Sequence, residues 1–310
     1  MTTWPKKLQE GLIWISLLVP IGIYGSTVLQ RPPRVAVPER PLFQGVTYSR
    51  QILNEPRPQV IHILEVDLTA SGIEPFATPG IENAPIYDPP SQVRETRVQP
   101  TSTFLEQHRL QLAINANFFY PFREMTPWHY RPKPGGPASL IGFAMSDGQI
   151  VSLPHPRYYS VCFLSRRIEL VWEDICPAGT QQAVSGQPIW IRDVPLPKEL
   201  QFLSEKTLSK RPYPLTLAAI DETGTRLWLL LSDGKQPLYA EGTSLDEAAP
   251  MLKALGATQA VQLDGGGSTT IAIETEGKAE IINAVINAKI PGFERPVASH
   301  IGFYAEPLAE

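Results

Sequence analysis

Short apolar runs cut by proline and glycine, one well-capped helix and an uncharged apolar leader predict the fold class. The expectation is an α+β chain, with a single mixed-sheet domain behind an N-terminal transmembrane segment. Its 310 residues fit one large domain or two modest ones. No linker interrupts the chain after the leader, so one domain is read over residues 42–310. Hydrophobic residues at 43% supply an ample core. The 32 prolines, about twice ordinary usage, argue against long helices.

The leader, Gly11 to Leu29, contains no charged residue. At a helical rise of about 1.5 Å per residue it nearly covers a hydrocarbon core of about 30 Å. Lys6 and Lys7 precede it. They predict a cytoplasmic N-terminus over residues 1–10 and an extracytoplasmic domain, periplasmic or at the cell surface. No convincing A-x-A cleavage site follows, which favours a retained signal anchor over a cleaved signal. Residues 30–41 read as an extended Pro/Arg-rich linker. Cys162 and Cys176 would then lie in an oxidising compartment, flanking a strand pair joined at Arg166-Arg167. A cross-hairpin disulfide and two buried thiols both fit that spacing.

Net charge is −4. Setting aside the five basic and two acidic residues before Pro41 leaves 22 basic against 29 acidic residues in the remainder. That balance lacks the basic footprint that nucleic-acid binding needs, so no nucleic-acid partner is expected.

Along the domain, Gln59 to Leu68 alternates as a strand, and Ala77 to Pro100 reads as a long Pro-rich loop. A short helix over Thr103 to Arg109 precedes a buried strand, Leu110 to Asn115. Strands follow around Gly142 to Ala144 and Ile150 to Leu153, with Asp147-Gly148 as the hairpin turn. Leu215 to Ile220 and Leu227 to Leu231 form another pair. The clearest helix is Leu245 to Leu255, with Ser244 as N-cap, Glu247 completing the capping box and Gly256 just beyond the end.

Two segments carry chemistry. Asp264-Gly265-Gly266-Gly267-Ser268 follows a buried strand. Its glycines allow close approach of a ligand, and an Asp at a strand end suits acid, base or hydroxyl-accepting work. A tight turn with positive φ explains the same glycines. No P-loop is present, because G-K-[ST] is missing. The second segment, Ile114-Asn115-Ala116-Asn117-Phe118-Phe119-Tyr120, ends a strand with two amides and enters a loop reaching Trp128, His129 and Tyr130. Amides beside aromatic faces suit sugar hydroxyls and rings, and turn closure by Asn suits them equally. There is no G-x-S-x-G elbow. The five histidines (His62, His108, His129, His155, His300) form no zinc-binding spacing, and neither metal nor cofactor is expected.

Read together, these motifs resemble the phosphodiester glycosidase family, whose bacterial members are often labelled exopolysaccharide biosynthesis proteins. The likeness runs from about Leu112 to Tyr304. The family's I-N-G-G-F-F resembles Ile114 to Phe119, its central turn Val184 to Pro188, and its D-G-R segment Asp233-Gly234-Lys235. A helix-opening G-x-T/S-L is similar to Gly242 to Leu245, and L-D-G-G-G-S stands whole as Leu263 to Ser268. The closing segments resemble Asn283-Ala284-Val285 and Glu294-Arg295-Pro296-Val297. The sequence departs at Leu215, where the family has arginine beside Thr216, at Asn117 for the second glycine, and at Ser299 for an asparagine.

The resemblance implies a hydrolase cleaving a sugar from an anomeric phosphodiester in envelope or exopolysaccharide glycans. Asp264 would be the carboxylate that stabilises oxocarbenium charge or activates water, with Asp233 a weaker second carboxylate. The amides of Gly265, Gly266 and Gly267 with Ser268 would face the anion. Arg295, with Arg211 as a substitute cation, would hold phosphate. Asn115, Asn117, Thr216 and Asn283 would complete the substrate site. The alternative from another class is a non-catalytic envelope protein that binds phosphorylated glycans or an assembly partner. Leu215 favours that alternative, and the intact Asp264 turn favours the enzyme.

Overall fold

The computed structural model describes residues 18, 22, 24–82, 95–124, 130–172, 175–191 and 210–308. Strands dominate, with two helices of eight residues or more, Thr101–His108 and Leu245–Ala254, among the described residues.

The larger sheet runs in spatial order Val37–Phe43, Val46–Leu53, Gln59–Asp67, Arg226–Ser232, Thr216–Ile220, Gln259–Gln262, Gln182–Ile191, Ala144–Ser146, Gln149–Ser152. A hairpin of Tyr159–Phe163 and Ile168–Trp172 branches from the Gln182–Ile191 strand. The smaller sheet runs Lys278–Ile281, Ile271–Thr275, Leu112–Asn115, His300–Tyr304, Glu74–Ala77.

Alternation sorts the side chains into layers. Val46, Leu64, Ala218, Leu229 and Val261 face Leu112, Ile114, Ile271, Ile301 and Phe303 in the core between the two sheets. The other face of the larger sheet presents Ile61, Leu217, Trp228 and Leu230 to Ala248 and Leu252 of the Leu245–Ala254 helix. The other face of the smaller sheet, with Ala113 and Ala272, packs Phe104 and Leu105 of the Thr101–His108 helix. The order is helix, sheet, sheet, helix.

Local signals placed several elements. Ser244 accepts the Glu247 amide and Glu247 answers on the Ser244 amide, closing the capping box. Asp147 (φ +49°) and Gly148 (φ +73°) make the left-handed hairpin turn.

The linker expectation needs correction. Val37 to Phe43 is an edge strand paired antiparallel with Val46–Leu53, and its prolines sit where the ladder shifts register. Edge strands tolerate proline because one side of the ladder is free. The chain is therefore bound to the domain earlier than its composition suggests. The apolar leader lies largely outside the described residues; helical turns cover 24–29, and no helix among the described residues is long and apolar enough to cross a membrane. Much of the Pro-rich loop, 83–94, and the aromatic segment 125–129 also lie outside them. Cys162 and Cys176 are joined in a disulfide with a Cα separation of 5.6 Å.

Candidate active site

The chain passes from the larger sheet to the smaller through Asp264 to Ser268, between the Gln259–Gln262 and Ile271–Thr275 strands. Asn115, last residue of the Leu112–Asn115 strand, rivets this crossing. Its Nδ2 donates to the Asp264 carbonyl at 2.5 Å. Its Oδ1 accepts from Thr216 Oγ1 at 3.1 Å and from the Thr270 amide at 3.2 Å. Thr216 Oγ1 also lies 3.3 Å from Thr269 Oγ1.

The other two asparagines are used in the same way. Asn117 donates to the Phe143 carbonyl at 3.2 Å and accepts from the Ser185 amide and Ser299 Oγ, both at 3.1 Å. Asn283 donates to Asp233 Oδ1 at 3.2 Å and to the Thr269 carbonyl at 3.1 Å, and accepts from the Ile271 amide at 2.8 Å. All three are buried, and their polar atoms serve the protein's own backbone and side chains. A buried amide left without such partners would cost about 1–3 kcal/mol, so these bonds hold the frame of the site.

Asp233 is sealed inside the protein. It is 2% exposed, and Oδ1 accepts from Asn283 and from the Ala284 amide at 3.0 Å. Oδ2 lies 3.3 Å from His62 Nε2, whose Nδ1 is 2.9 Å from the Tyr48 hydroxyl. Burial, with a smaller contribution from the nearby Asp233 charge, pushes the Tyr48 hydroxyl up to about 12. This is an internal network with no open face.

Asp264 differs. Its residue remains partly exposed, at the turn that links the two sheets. Desolvation raises its carboxyl to about 6, and Ser268, Arg295, the Gly265 amide and Lys235 counteract that rise in this order. Arg295 is 4% exposed; its Nε donates to Asn287 Oδ1 at 3.3 Å and its guanidinium carbon lies 4.7 Å from the Phe122 ring centroid. Lys235, exposed at its outer side, donates to the Tyr213 hydroxyl at 3.0 Å. Tyr158 completes the wall. Its hydroxyl accepts from Gln187 at 3.2 Å, its ring meets Phe118 edge-on at 5.7 Å, and burial together with the Asp264 charge raises its pKa.

The glycines work mainly by yielding space. The Gly265 amide is bonded to Asp264 Oδ1 at 2.9 Å and the Gly266 amide to the Pro214 carbonyl at 2.9 Å. A Cβ on Gly266 (φ +70°) would lie 2.6 Å from the Tyr213 hydroxyl, and one on Gly267 would lie 2.4 Å from Arg295 Nη2. The expected amide cradle is thus partly spent within the turn, and the positive charge comes from side chains.

Two residues escaped the sequence reading. Tyr213 lies against Gly265 and Gly266 and accepts from Lys235, whose charge acts on Asp264, while Arg211, named as the substitute cation, is exposed two residues before Tyr213. The signal for Lys235 was present, since Asp233-Gly234-Lys235 aligns with the family's D-G-R. Leu215 also reads differently in the structure. It is 2% exposed in the core beneath the Leu245–Ala254 helix, on the sheet face opposite Thr216 and Asn115. Strand alternation points any side chain at 215 away from Asp264. Among the described residues, no group of three or more His, Cys, Asp or Glu side chains is placed to hold a metal ion.

A desolvated carboxylate under the charge of two cations, at the seam of a two-sheet sandwich, is equipment suited to an anionic substrate. The phosphodiester glycosidase pattern matches residues 108–304, and the chain belongs to that family of hydrolases. Among solved structures, the zebrafish N-acetylglucosamine-1-phosphodiester alpha-N-acetylglucosaminidase catalytic domain, auto-inhibited by its pro-peptide, is similar in fold. Its TM-score is 0.56 at 16% identity, over 90% of this chain and 87% of that one. A hypothetical protein from Synechocystis gives a TM-score of 0.51 at 13% identity, over 86% of this chain. The present chain spans 64% of that Synechocystis protein's length. No curated protein sequence matches the chain.

Proposed function

We propose that the chain hydrolyses a sugar joined through its anomeric carbon to a phosphodiester, working outside the cytoplasm on an envelope or exopolysaccharide glycan. The observation that carries this reading is the Asp264 carboxylate, raised to about 6 and facing Arg295 and Lys235. Water attacks the anomeric carbon while the bond from that carbon to the phosphate oxygen breaks. The electron pair leaves with the phosphate monoester, and Asp264 takes the proton released by water. The leaving group is of low pKa, so it needs charge rather than a proton, and Arg295 with Lys235 supplies it. Tyr158 and Phe118 offer edges and faces for the sugar ring. Asp233, Asn115, Asn117, Thr216 and Asn283 hold these groups in place.

The Cys162–Cys176 disulfide supports an oxidising compartment, and the uncharged run Gly11 to Leu29 supports a membrane anchor. The test is hydrolysis of a chromogenic N-acetylglucosamine phosphodiester by the full chain, beside Asp264→Asn. Turnover lost in the variant is the expected result. Equal turnover in both removes Asp264 from the chemistry, and binding without turnover in either moves the chain to the non-catalytic reading.

A further inference from the structure

The segment that joins the leader to the domain lies against the rim of the site. The Thr27 carbonyl sits 3.7 Å from where a Cβ on Gly292 would be, three residues before Arg295. One turn later the Pro32 carbonyl accepts from the Tyr239 hydroxyl at 2.9 Å, and the Arg31 guanidinium carbon lies 5.3 Å from the Tyr239 ring centroid. Gln236, on the same turn as Tyr239 and next to Lys235, donates to the Ala284 carbonyl at 2.7 Å. The segment therefore meets the domain at the loops carrying Gly292 and Tyr239, next in sequence to those of Arg295 and Lys235.

That rim is unusually apolar for a surface. Leu238 is 91% exposed, Phe293 56% and Phe122 41%. Phe122 lies under Arg295, Phe293 follows Gly292, and Leu238 precedes Tyr239. Leu238 also holds φ +67°, a conformation costly for a leucine. Lys235 and Lys289 are exposed on the same stretches. Exposed aromatic and aliphatic tips beside lysines are what a phospholipid interface binds, through burial of the tips and attraction to headgroups.

We propose that the face carrying Phe122, Leu238 and Phe293 rests on a phospholipid bilayer, so that the Asp264 cleft opens at headgroup level and takes sugar phosphodiesters whose aglycone is a lipid. This rests on the reading of Gly11 to Leu29 as an anchor and of Asp264 as the hydrolytic carboxylate. The short connection bonded along 27–32 leaves the domain little freedom to turn this face elsewhere. A lipid aglycone would leave its phosphate at Arg295 and Lys235 with its tail still in the membrane.

The test uses the full chain reconstituted in phosphatidylcholine–phosphatidylglycerol vesicles. Single cysteines replace Leu238, Phe293 or, as a control at the far end of the Arg226–Ser232 strand, Thr223; each carries an environment-sensitive fluorophore. Blue-shifted emission at 238 and 293, with none at 223, is expected. In the same vesicles, kcat/KM for a lipid-tailed sugar phosphodiester should exceed that for its methyl counterpart by at least about tenfold. The Leu238→Asn, Phe293→Ser double variant should lose that preference while keeping wild-type turnover of the methyl compound. Hydrolysis without the emission shift overturns the docking face. Equal rates on the two substrates overturn the lipid aglycone. Emission shifts with no hydrolysis of either compound overturn the glycosidase reading and leave the docking face standing. Release of the full chain from vesicles by an alkaline wash overturns the anchor and this inference with it.

Discussion

Two Asp-Gly dipeptides lie close in this fold and do opposite things. Asp233-Gly234 ends the Arg226–Ser232 strand, and its carboxylate is sealed among Asn283, the Ala284 amide and His62. Asp264-Gly265 follows the Gln259–Gln262 strand. Its carboxylate takes the Gly265 amide and a bond from Ser268, and its other influences are the charges of Arg295 and Lys235. The residue types are the same; the difference is exposure and nearby charge. Asp233 is sealed among an amide side chain, a backbone amide and a histidine, whereas Asp264 is partly exposed and influenced by two cations.

Substitution by asparagine is the sharpest way to break that comparison. Asp264→Asn is expected to lower kcat by about 10³-fold, whereas Asp233→Asn should leave kcat per folded molecule within about threefold. Similar losses in both, measured on protein matched for folded fraction, would erase the distinction. Gly267→Ala comes next. Its new methyl would collide with the Arg295 guanidinium, and displacing that group by about an ångström is expected to cost about 10²-fold in kcat/KM. Unchanged kcat/KM would remove Arg295 from phosphate binding.

The pH profile separates the two carboxylates further. Asp264 must be ionised to accept a proton, so kcat/KM should fall about tenfold per unit below pH about 6, its raised folded value. In Asp264→Asn the residual rate should lose that limb.

The smallest effect is on stability and has opposite signs at the two sites. The folded chain holds the Asp264 proton more tightly than the unfolded chain, whose carboxyl titrates near 3.8. Stability from this group is therefore greatest below pH 3.8 and declines as pH rises to about 6. Asp264→Asn should recover about 3 kcal/mol at pH 7. Asp233→Asn should instead cost about 2 kcal/mol, because it replaces an acceptor that the Ala284 amide and His62 both face. Denaturant midpoints of the two variants at pH 7 and pH 4 check both signs.

The local part of this was legible in the sequence. Ser244 and Glu247 announce a helix start through bonds three residues apart, and Asp147-Gly148 announces a turn. The Asp264 turn stands out because three glycines in a row have few other uses. What pattern reading lacked were partners distant in sequence. Asn115 meets the Asp264 carbonyl 149 positions away and Asn117 meets Ser299 across 182. No local rule tells whether such an amide will face a sugar or a backbone. The same blindness affected Leu215, whose direction follows from strand phase, and Val37 to Phe43, whose prolines hide an edge strand. Lys235 escaped because a lysine after Asp-Gly is ordinary until Tyr213 and Asp264 stand beside it.

The crossing from Asp264 to Ser268 also limits how this protein can change. One residue added there would shift Ile271 against Ile114 and turn the Ile271–Thr275 strand inside out, sending its apolar set from the central core to the layer beneath the Thr101–His108 helix. The Asp264 to Ser268 turn is thus fixed in length by the packing of two sheets. New substrate preferences are expected to come from side-chain replacement around it, at positions such as Phe118 and Tyr158, rather than from a change in the length of the crossing.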